Sequence, residues 1–230
     1  MKKNIVFIHG SAGSRRNFKY LIKNLSEYNI IAFDLIGFGN EKKPKISYDL
    51  ELYLNFIKDK LDWDQSYVMV GHSMGGILAK ELALKYPNNV KKIFCINYPF
   101  NKQKIKNNLF NRLFIDGHWL GKAICHSKMF WKFLALPLGL LLYGRYFGSL
   151  WDYFKHTFQS ESSTLRNVIL NDNHSSLNRV KNELILISGE KDPFLIKSLA
   201  ESYKNYEIKK MGHLFFGFEK EIADIIRKEA

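Results

Sequence analysis

The sequence has few of the features that mark secreted, membrane-spanning or metal-binding proteins. Its 230 residues include only two cysteines, Cys95 and Cys125, which are too few for a disulfide framework and lack the spacing of a metal site. No stretch reaches the roughly 18 apolar residues that a bilayer span needs. The apolar run before His9 is short, as in a strand and unlike a signal peptide. We therefore expect a cytoplasmic protein without a metal or other cofactor.

Acidic side chains are also few relative to basic ones. The chain has 35 lysines and arginines against 22 aspartates and glutamates, for a net charge of +13. The basic residues are scattered and no nucleic-acid-binding motif appears, so we expect no specific nucleic-acid partner. Two interpretations of the charge stay open: a lysine-rich composition without a binding role, and a surface that attracts anionic lipid or an acidic protein.

The most informative stretch runs from Tyr67 to Tyr86. Four β-type residues lead into Gly71-His72-Ser73-Met74-Gly75, and a helical pattern follows until Pro87. This is the Gly-x-Ser-x-Gly pattern of a nucleophile elbow, in which a sharp strand-to-helix turn exposes the serine hydroxyl. The glycines leave room for the turn and for a substrate. The alternative is an ordinary glycine-rich turn whose serine only caps a helix.

Strand-like and helix-like segments alternate along most of the chain. Such alternation predicts an α/β fold, doubly wound, with a mainly parallel sheet of about six strands and helices on both faces. The predicted strands are 4–8, 29–33, 67–70, 92–97, 183–188 and 206–209, and the predicted helices are 15–27, 48–61, 77–86, 193–204 and 219–228. Between 99 and 180 the strand signals stop and helical stretches rich in Trp, Phe and Leu take over. We therefore predict a core of residues 1–98 and 181–230 with an inserted helical lid at 99–180.

Three polar residues follow predicted strands in the order serine, aspartate, histidine. A serine hydroxyl needs a base within hydrogen-bond reach, and that base needs an acceptor that fixes its tautomer. Ser73, Asp192 and His213 supply these groups, and parallel strands bring their carboxyl ends to one edge of the sheet. The alternatives are a turn or helix-capping role for Asp192 and a loop histidine at 213.

A developing oxyanion needs two hydrogen-bond donors aimed at one point. The amide of Met74, directly after the proposed nucleophile, is one candidate. The second should come from the loop after the first strand, where Ser11 is the first choice by position and Ala12 the second.

These motifs together resemble the α/β-hydrolase fold family, as a compact member with a helical lid. The resemblance is carried by five motifs: His9-Gly10, Asp34 with Gly37 and Gly39, the elbow at 71–76, Gly189 to Pro193, and Gly212-His213. It implies a serine hydrolase of carboxylesterase type that cleaves an ester or thioester of a small or medium acyl group through an acyl-serine. Epoxide hydrolases and dehalogenases of this family carry an aspartate at the elbow, so Ser73 argues against both activities.

The lid residues suggest substrates and partners without deciding between them. An aromatic lid lines an acyl pocket or simply packs on the core. The predicted substrate-binding residues are His9, Phe130, Trp131 and Leu134. Basic residues of the lid suggest an acidic acyl carrier protein as partner, and the residues proposed for it are Lys122, Lys128, Lys132 and Arg145.

Two further functions stay open at this stage. A lipase or lysophospholipase would dock on an anionic membrane through residues 138–147. The alternative outside the enzymes is a non-catalytic ligand-binding protein on the same fold. The presence of all three catalytic groups argues against it.

Overall fold

A single parallel sheet forms the centre of the computed structural model, which describes residues 2–126 and 144–230. The strand order is β2-β1-β3-β4-β5-β6 and every neighbouring pair is parallel. The strands are β1 (Asn4–Ile8), β2 (Asn29–Ala32), β3 (Tyr67–His72), β4 (Val90–Ile96), β5 (Glu183–Gly189) and β6 (Lys204–Ile208). The predicted fold class is confirmed, and the strand bounds lie within about two residues of those expected from sequence.

Helices cover both faces of this sheet because side chains of a buried strand point alternately to either side. Ile5 and Phe7 of β1 pack with one apolar cluster, and Val6 and Ile8 pack with the other. The described helices are α1 (Lys19–Lys23), α2 (Leu50–Lys58), α3 (Met74–Lys85), α4 (Lys102–Asn107), α5 (Leu109–Ile115), α6 (Trp119–His126), α7 (Phe147–Tyr153), α8 (Phe158–Thr164), α9 (Lys197–Ala200) and α10 (Glu219–Glu229). Helices α2 and α3 border the cluster of Val6 and Ile8, and α1 and α10 border the cluster of Ile5 and Phe7.

Two predicted helices are less than half as long in the structure. The segment predicted as helix 15–27 begins with a 3₁₀ turn at Arg15–Phe18, which Ser14 caps, and α1 ends at Lys23. The segment predicted as helix 193–204 keeps only α9. Here the Asp192 side chain accepts a hydrogen bond from the Phe194 amide at 2.9 Å, and this local turn replaces the first helical turns.

The inserted segment lies between β4 and β5. Its described residues, 99–126 and 144–180, form helices and turns without a strand. Leu165, Val168 and Ile169 join the same apolar cluster as β3 and α3, so this part of the insert packs directly on the core. In the described parts of the chain, no helix is both long enough and apolar enough to cross a membrane.

Candidate active site

Ser73 occupies the sharp turn between β3 and α3. Its backbone has φ 52° and ψ −117°, a region that non-glycine residues adopt at a cost and that the surrounding structure must enforce. The flanking glycines are required by space. A Cβ at Gly75 would lie 1.9 Å from the Ile8 carbonyl oxygen, and one at Gly71 would lie 2.2 Å from the Gly75 carbonyl oxygen. The Ser73 side chain makes no capping hydrogen bond to α3, so its hydroxyl is directed elsewhere.

The Ser73 hydroxyl oxygen lies 3.0 Å from His213 Nε2. On the other side of the imidazole, His213 Nδ1 lies 3.0 and 3.1 Å from the two carboxylate oxygens of Asp192. With the ring proton on Nδ1, the imidazole donates to Asp192 and accepts from the Ser73 O–H. The Asp192 side chain is fully buried, and the His213 side chain is partly exposed. The structure thus joins the three predicted catalytic residues in one hydrogen-bonded chain.

Asn97 connects the two loops that carry Asp192 and His213. It follows β4 with φ 52°, and its Nδ2 donates to the carbonyl oxygens of Gly212 at 2.9 Å and His213 at 2.8 Å. Its Oδ1 accepts from the Gly189 amide at 2.8 Å. Sequence reasoning placed Asn97 at a strand end and gave it no role, because these partners are remote along the chain.

His72 also bonds the loop that carries His213, the proposed base. Its Nε2 donates to the His213 carbonyl oxygen at 2.8 Å, and its ring is almost fully buried. Burial, with a smaller contribution from the neighbouring His213, lowers the pKa of His72 to about 3. The imidazole is therefore uncharged at neutral pH and acts as a hydrogen-bond donor.

A pocket opens above the Ser73 hydroxyl, between the core and the insert. Its floor holds Ser73 and His213, and its wall toward the core contains Ser11 and Ala12. The insert supplies mostly apolar side chains, together with one carboxylate, Glu161. The apolar lining side chains are Pro99, Ile105, Phe110, Leu165 and Ile169 of the insert and Phe194 of the core.

The predicted oxyanion donors lie beside this pocket. Met74 begins α3 directly after Ser73, and Ser11 lines the pocket wall. Ala12, the second choice for the other donor, directs its amide to the Glu161 carboxylate. This contact leaves Ser11 as the better candidate.

The structure places His9 beneath the pocket loop instead of at the pocket surface. Its ring is fully buried, with Nδ1 donating to the Gly10 carbonyl oxygen at 2.8 Å and Nε2 accepting from the Leu35 amide at 2.9 Å. Burial lowers its pKa, which keeps the imidazole neutral. Both ring nitrogens are used by the fold, so His9 holds two loops together where a substrate contact was predicted.

Most of the other residues predicted to contact a substrate or a partner protein lie between 127 and 143, outside the described residues. Phe130, Trp131 and Leu134 lie outside the described residues, as do Lys128 and Lys132. Asp34, the carboxylate that begins the glycine motif, accepts from the amides of Arg15 and Asn40 and so closes that turn. Within residues 2–126 and 144–230, no group of three or more metal-ligating side chains comes together.

Comparison with known proteins gives a consistent family. A family model described as alpha/beta hydrolase fold matches residues 3–220. "Probable lysophospholipase BODYGUARD 4" from Arabidopsis thaliana is 27% identical over 199 residues, which is 73% of this chain and 46% of that protein. "Epoxide hydrolase 4" from Homo sapiens is 33% identical over 103 residues, covering 43% of this chain and 28% of its own length. The chain therefore spans less than half the length of these curated relatives.

Solved structures share the whole fold. A structure from a study of carboxylesterases of the thaumarchaeon Nitrososphaera gargenis superposes with a TM-score of 0.75 and 18% identity, covering 99% of this chain and 89% of the other. An epoxide hydrolase from Bacillus megaterium gives a TM-score of 0.70 and 17% identity, covering 99% and 93%. At these identities the likeness concerns the fold alone.

Proposed function

Because the chain belongs to the alpha/beta hydrolase fold family, we propose that it is a serine hydrolase that cleaves a carboxylic ester or thioester of a small or medium acyl group. The observation that carries this proposal is the hydrogen-bonded chain from Ser73 through His213 to Asp192. Its distances lie within the range in which a base activates a hydroxyl nucleophile.

The geometry supports acyl transfer in two halves. Ser73 Oγ attacks the acyl carbon, His213 Nε2 takes the hydroxyl proton, and the carbonyl oxygen becomes an oxyanion beside the Met74 and Ser11 amides. When the tetrahedral intermediate collapses, Nε2 gives the proton to the leaving alcohol or thiol. Water then attacks the acyl-serine by the same route, with His213 again as base. Asp192 stabilises the transient imidazolium throughout.

The elbow residue separates this proposal from the epoxide hydrolases among the relatives. Opening an epoxide in this family requires a carboxylate at the elbow, as the resemblance implies, and this chain has Ser73 there. A serine with a histidine base suits an acyl carbonyl, because the negative charge develops where backbone amides receive it.

Hydrolysis of a chain-length series of nitrophenyl esters tests the proposal. The wild type should cleave these esters, and Ser73→Ala should lose about a thousandfold or more in kcat. Ser176→Ala is the matched control, because Ser176 is buried to a similar degree and bonds only the Asn173 carbonyl. Equal activity of the wild type and Ser73→Ala would refute the mechanism, and a wild type that neither cleaves esters nor reacts with a fluorophosphonate would favour a ligand-binding protein.

A second candidate, an acyl ester presented at a lipid surface, is favoured by the exposed apolar side chains of the insert. Leu109 and Trp119 expose 79% and 67% of their surfaces, and Phe110 and Leu120 are also exposed. We call these four side chains the apolar lip. Phe110 also lines the pocket, so the lip adjoins the pocket mouth.

Basic residues lie in the two helices that carry the apolar lip and in α4, which precedes them in the chain. Lys102, Lys104 and Lys106 lie in α4, Arg112 in α5 and Lys122 in α6. Aromatic and aliphatic side chains among cations suit the headgroup region of an anionic membrane. The membrane docking expected of residues 138–147 stays a prediction, since 138–143 lie outside the described residues.

An acyl carrier protein remains a proposal as the presenter of the acyl group. Of the basic residues suggested for it, Lys122 lies 5.7 Å from the Phe158 ring centre, and Arg145 contacts Tyr146 of the insert and Glu219 of the core. Turnover of acyl-carrier-protein substrates that is no faster at low salt than at high salt would exclude this partner.

A further inference from the structure

Glu161 is a buried carboxylate in the pocket wall to which the proposed mechanism gives no role. It lies in α8 with only 3% of its surface exposed, and it lines the same pocket as Ser73 and His213. A buried charge is costly unless hydrogen bonds compensate it, and the Glu161 carboxylate makes such bonds.

Those contacts run to the loop that follows β1. The Ser11 hydroxyl donates to Glu161 Oε2 at 2.7 Å, and the Ala12 amide adds a second hydrogen bond to the carboxylate. Ala12 has φ 54°, a left-handed conformation that alanine adopts only when the surroundings enforce it. The loop's own turn supplies one backbone bond, from the Gly13 amide to the Gly10 carbonyl at 3.1 Å. Glu161, which lies outside the loop, thus tethers it at Ser11 and at the strained Ala12.

Helix α8 provides a fixed support for this tether. Ser162 Oγ donates to the Phe114 carbonyl oxygen of α5 at 2.8 Å. Thr164 Oγ1 lies 2.7 Å from the Tyr53 hydroxyl of α2. The helix that carries Glu161 is therefore bonded to the insert on one side and to the core on the other.

We propose that Glu161 is a positioning residue that holds Ser11 and Ala12 in the conformation in which the Ser11 amide points at the oxyanion. This inference rests on the proposed function. Glu161 acts through the loop, so its loss should weaken stabilisation of the tetrahedral intermediate more than binding of the uncharged substrate. Burial raises the pKa of Glu161 to about 7 against the opposing effect of its two donors, as expected of a charge retained at a cost.

A pair of ketone inhibitors separates these two effects. Ser73 Oγ adds to the carbonyl carbon of a trifluoromethyl ketone, the Ser73 hydroxyl proton moves to His213, and the ketone oxygen becomes an oxyanion. The matched methyl ketone binds without this addition. For Glu161→Ala we expect trifluoromethyl ketone affinity to fall about 10- to 100-fold, with the methyl ketone changed less than about threefold. Glu161→Gln keeps one oxygen acceptor and should lose less.

Ser176→Ala is the control, since it removes a buried hydroxyl bond of the insert, to the Asn173 carbonyl oxygen, that involves neither α8 nor the loop. It should leave both affinities at the wild-type level. Equal weakening of both ketones by Glu161→Ala, or no weakening of either, would overturn the positioning role. If Glu161→Ala does not fold, the same comparison with Glu161→Gln decides. A wild type that forms no adduct with the trifluoromethyl ketone would instead refute the proposed function.

Discussion

Asn97 Nδ2 donates to the carbonyl oxygen of His213 at 2.8 Å, so the residue after β4 holds the backbone of the proposed base. The same side chain accepts from the Gly189 amide, at the start of the loop that carries Asp192. One amide group therefore sets the relative position of the proposed acid and base.

We predict that Asn97→Gly lowers kcat about 10- to 100-fold. Glycine keeps the φ of 52° without strain, so the loss reports the missing side-chain bonds and the displaced imidazole. Asn182→Gly is the control, because the Asn182 side chain donates to the carbonyl oxygens of Pro87 and of Val90 at the start of β4, at the opposite end of the sheet. Ester kinetics and thermal melts of both variants provide the measurement. If the two lower kcat equally, Asn97 has no specific role at the site.

His72 should make the protein less stable in acid. Its folded pKa of about 3 lies below the usual 6.5, so the unfolded chain binds the extra proton first and stability falls as pH decreases below about 6.5. At pH about 5 the expected decrease in the free energy of unfolding is about 2 kcal/mol. His72→Gln removes the titrating group, and its melting temperature should depend less on pH between about 4 and 6.5 than that of the wild type. Parallel melting curves for the two proteins across this range would contradict the assignment.

Glu161 should act on stability in the opposite direction. Its folded pKa of about 7 lies above the usual 4.5, so its contribution is complete below about pH 4.5 and is lost as pH rises through about 7. The groups near it are the Ser11 hydroxyl, the Ala12 amide and the phenols of Tyr53 and Tyr153. Glu161→Gln should therefore gain stability relative to the wild type as pH increases from about 5 to 8. A difference in melting temperature that stays constant with pH would show that Glu161 does not titrate there.

The apolar lip should be needed for membrane binding. Trp119→Ser and Leu109→Ser should reduce co-sedimentation with vesicles of phosphatidylcholine and phosphatidylglycerol about tenfold, because each removes an exposed apolar contact. Ile46→Ser is the control, since Ile46 is 40% exposed but lies outside the insert. Failure of the wild type to bind these vesicles, or equal binding by all the variants, would exclude the lipid-surface proposal.

Local motifs explain how much of the fold and site the sequence predicts. The elbow, the Asp192 turn and the Gly212-His213 pair each combine a strand signal with glycine or proline within a few residues, and parallel strands bring such ends to one edge. The contacts of Asn97 and Glu161 carry no such signal. Asn97 reaches His213 across 116 positions and Glu161 reaches Ser11 across 150, so only the folded chain brings them together.

The same contrast explains the inaccurate helix limits and the role of His9. Apolar spacing predicts helix through 15–27 and 193–204, but side-chain bonds from Ser14 and Asp192 to nearby amides fix tight turns at the start of each segment. His9 follows β1 as a pocket residue would. In the folded chain its Nε2 instead accepts from the Leu35 amide, in the loop that follows β2.

Labelling with a fluorophosphonate, followed by peptide mass analysis, tests the central claim most directly. An activated serine displaces fluoride from phosphorus, whereas ordinary serines react far more slowly. We predict that the peptide containing Ser73 carries the label, and that His213→Ala slows labelling by at least about a hundredfold while the protein stays folded. Labelling of another serine, or an unlabelled Ser73 in the folded wild type, would contradict the proposed serine hydrolase.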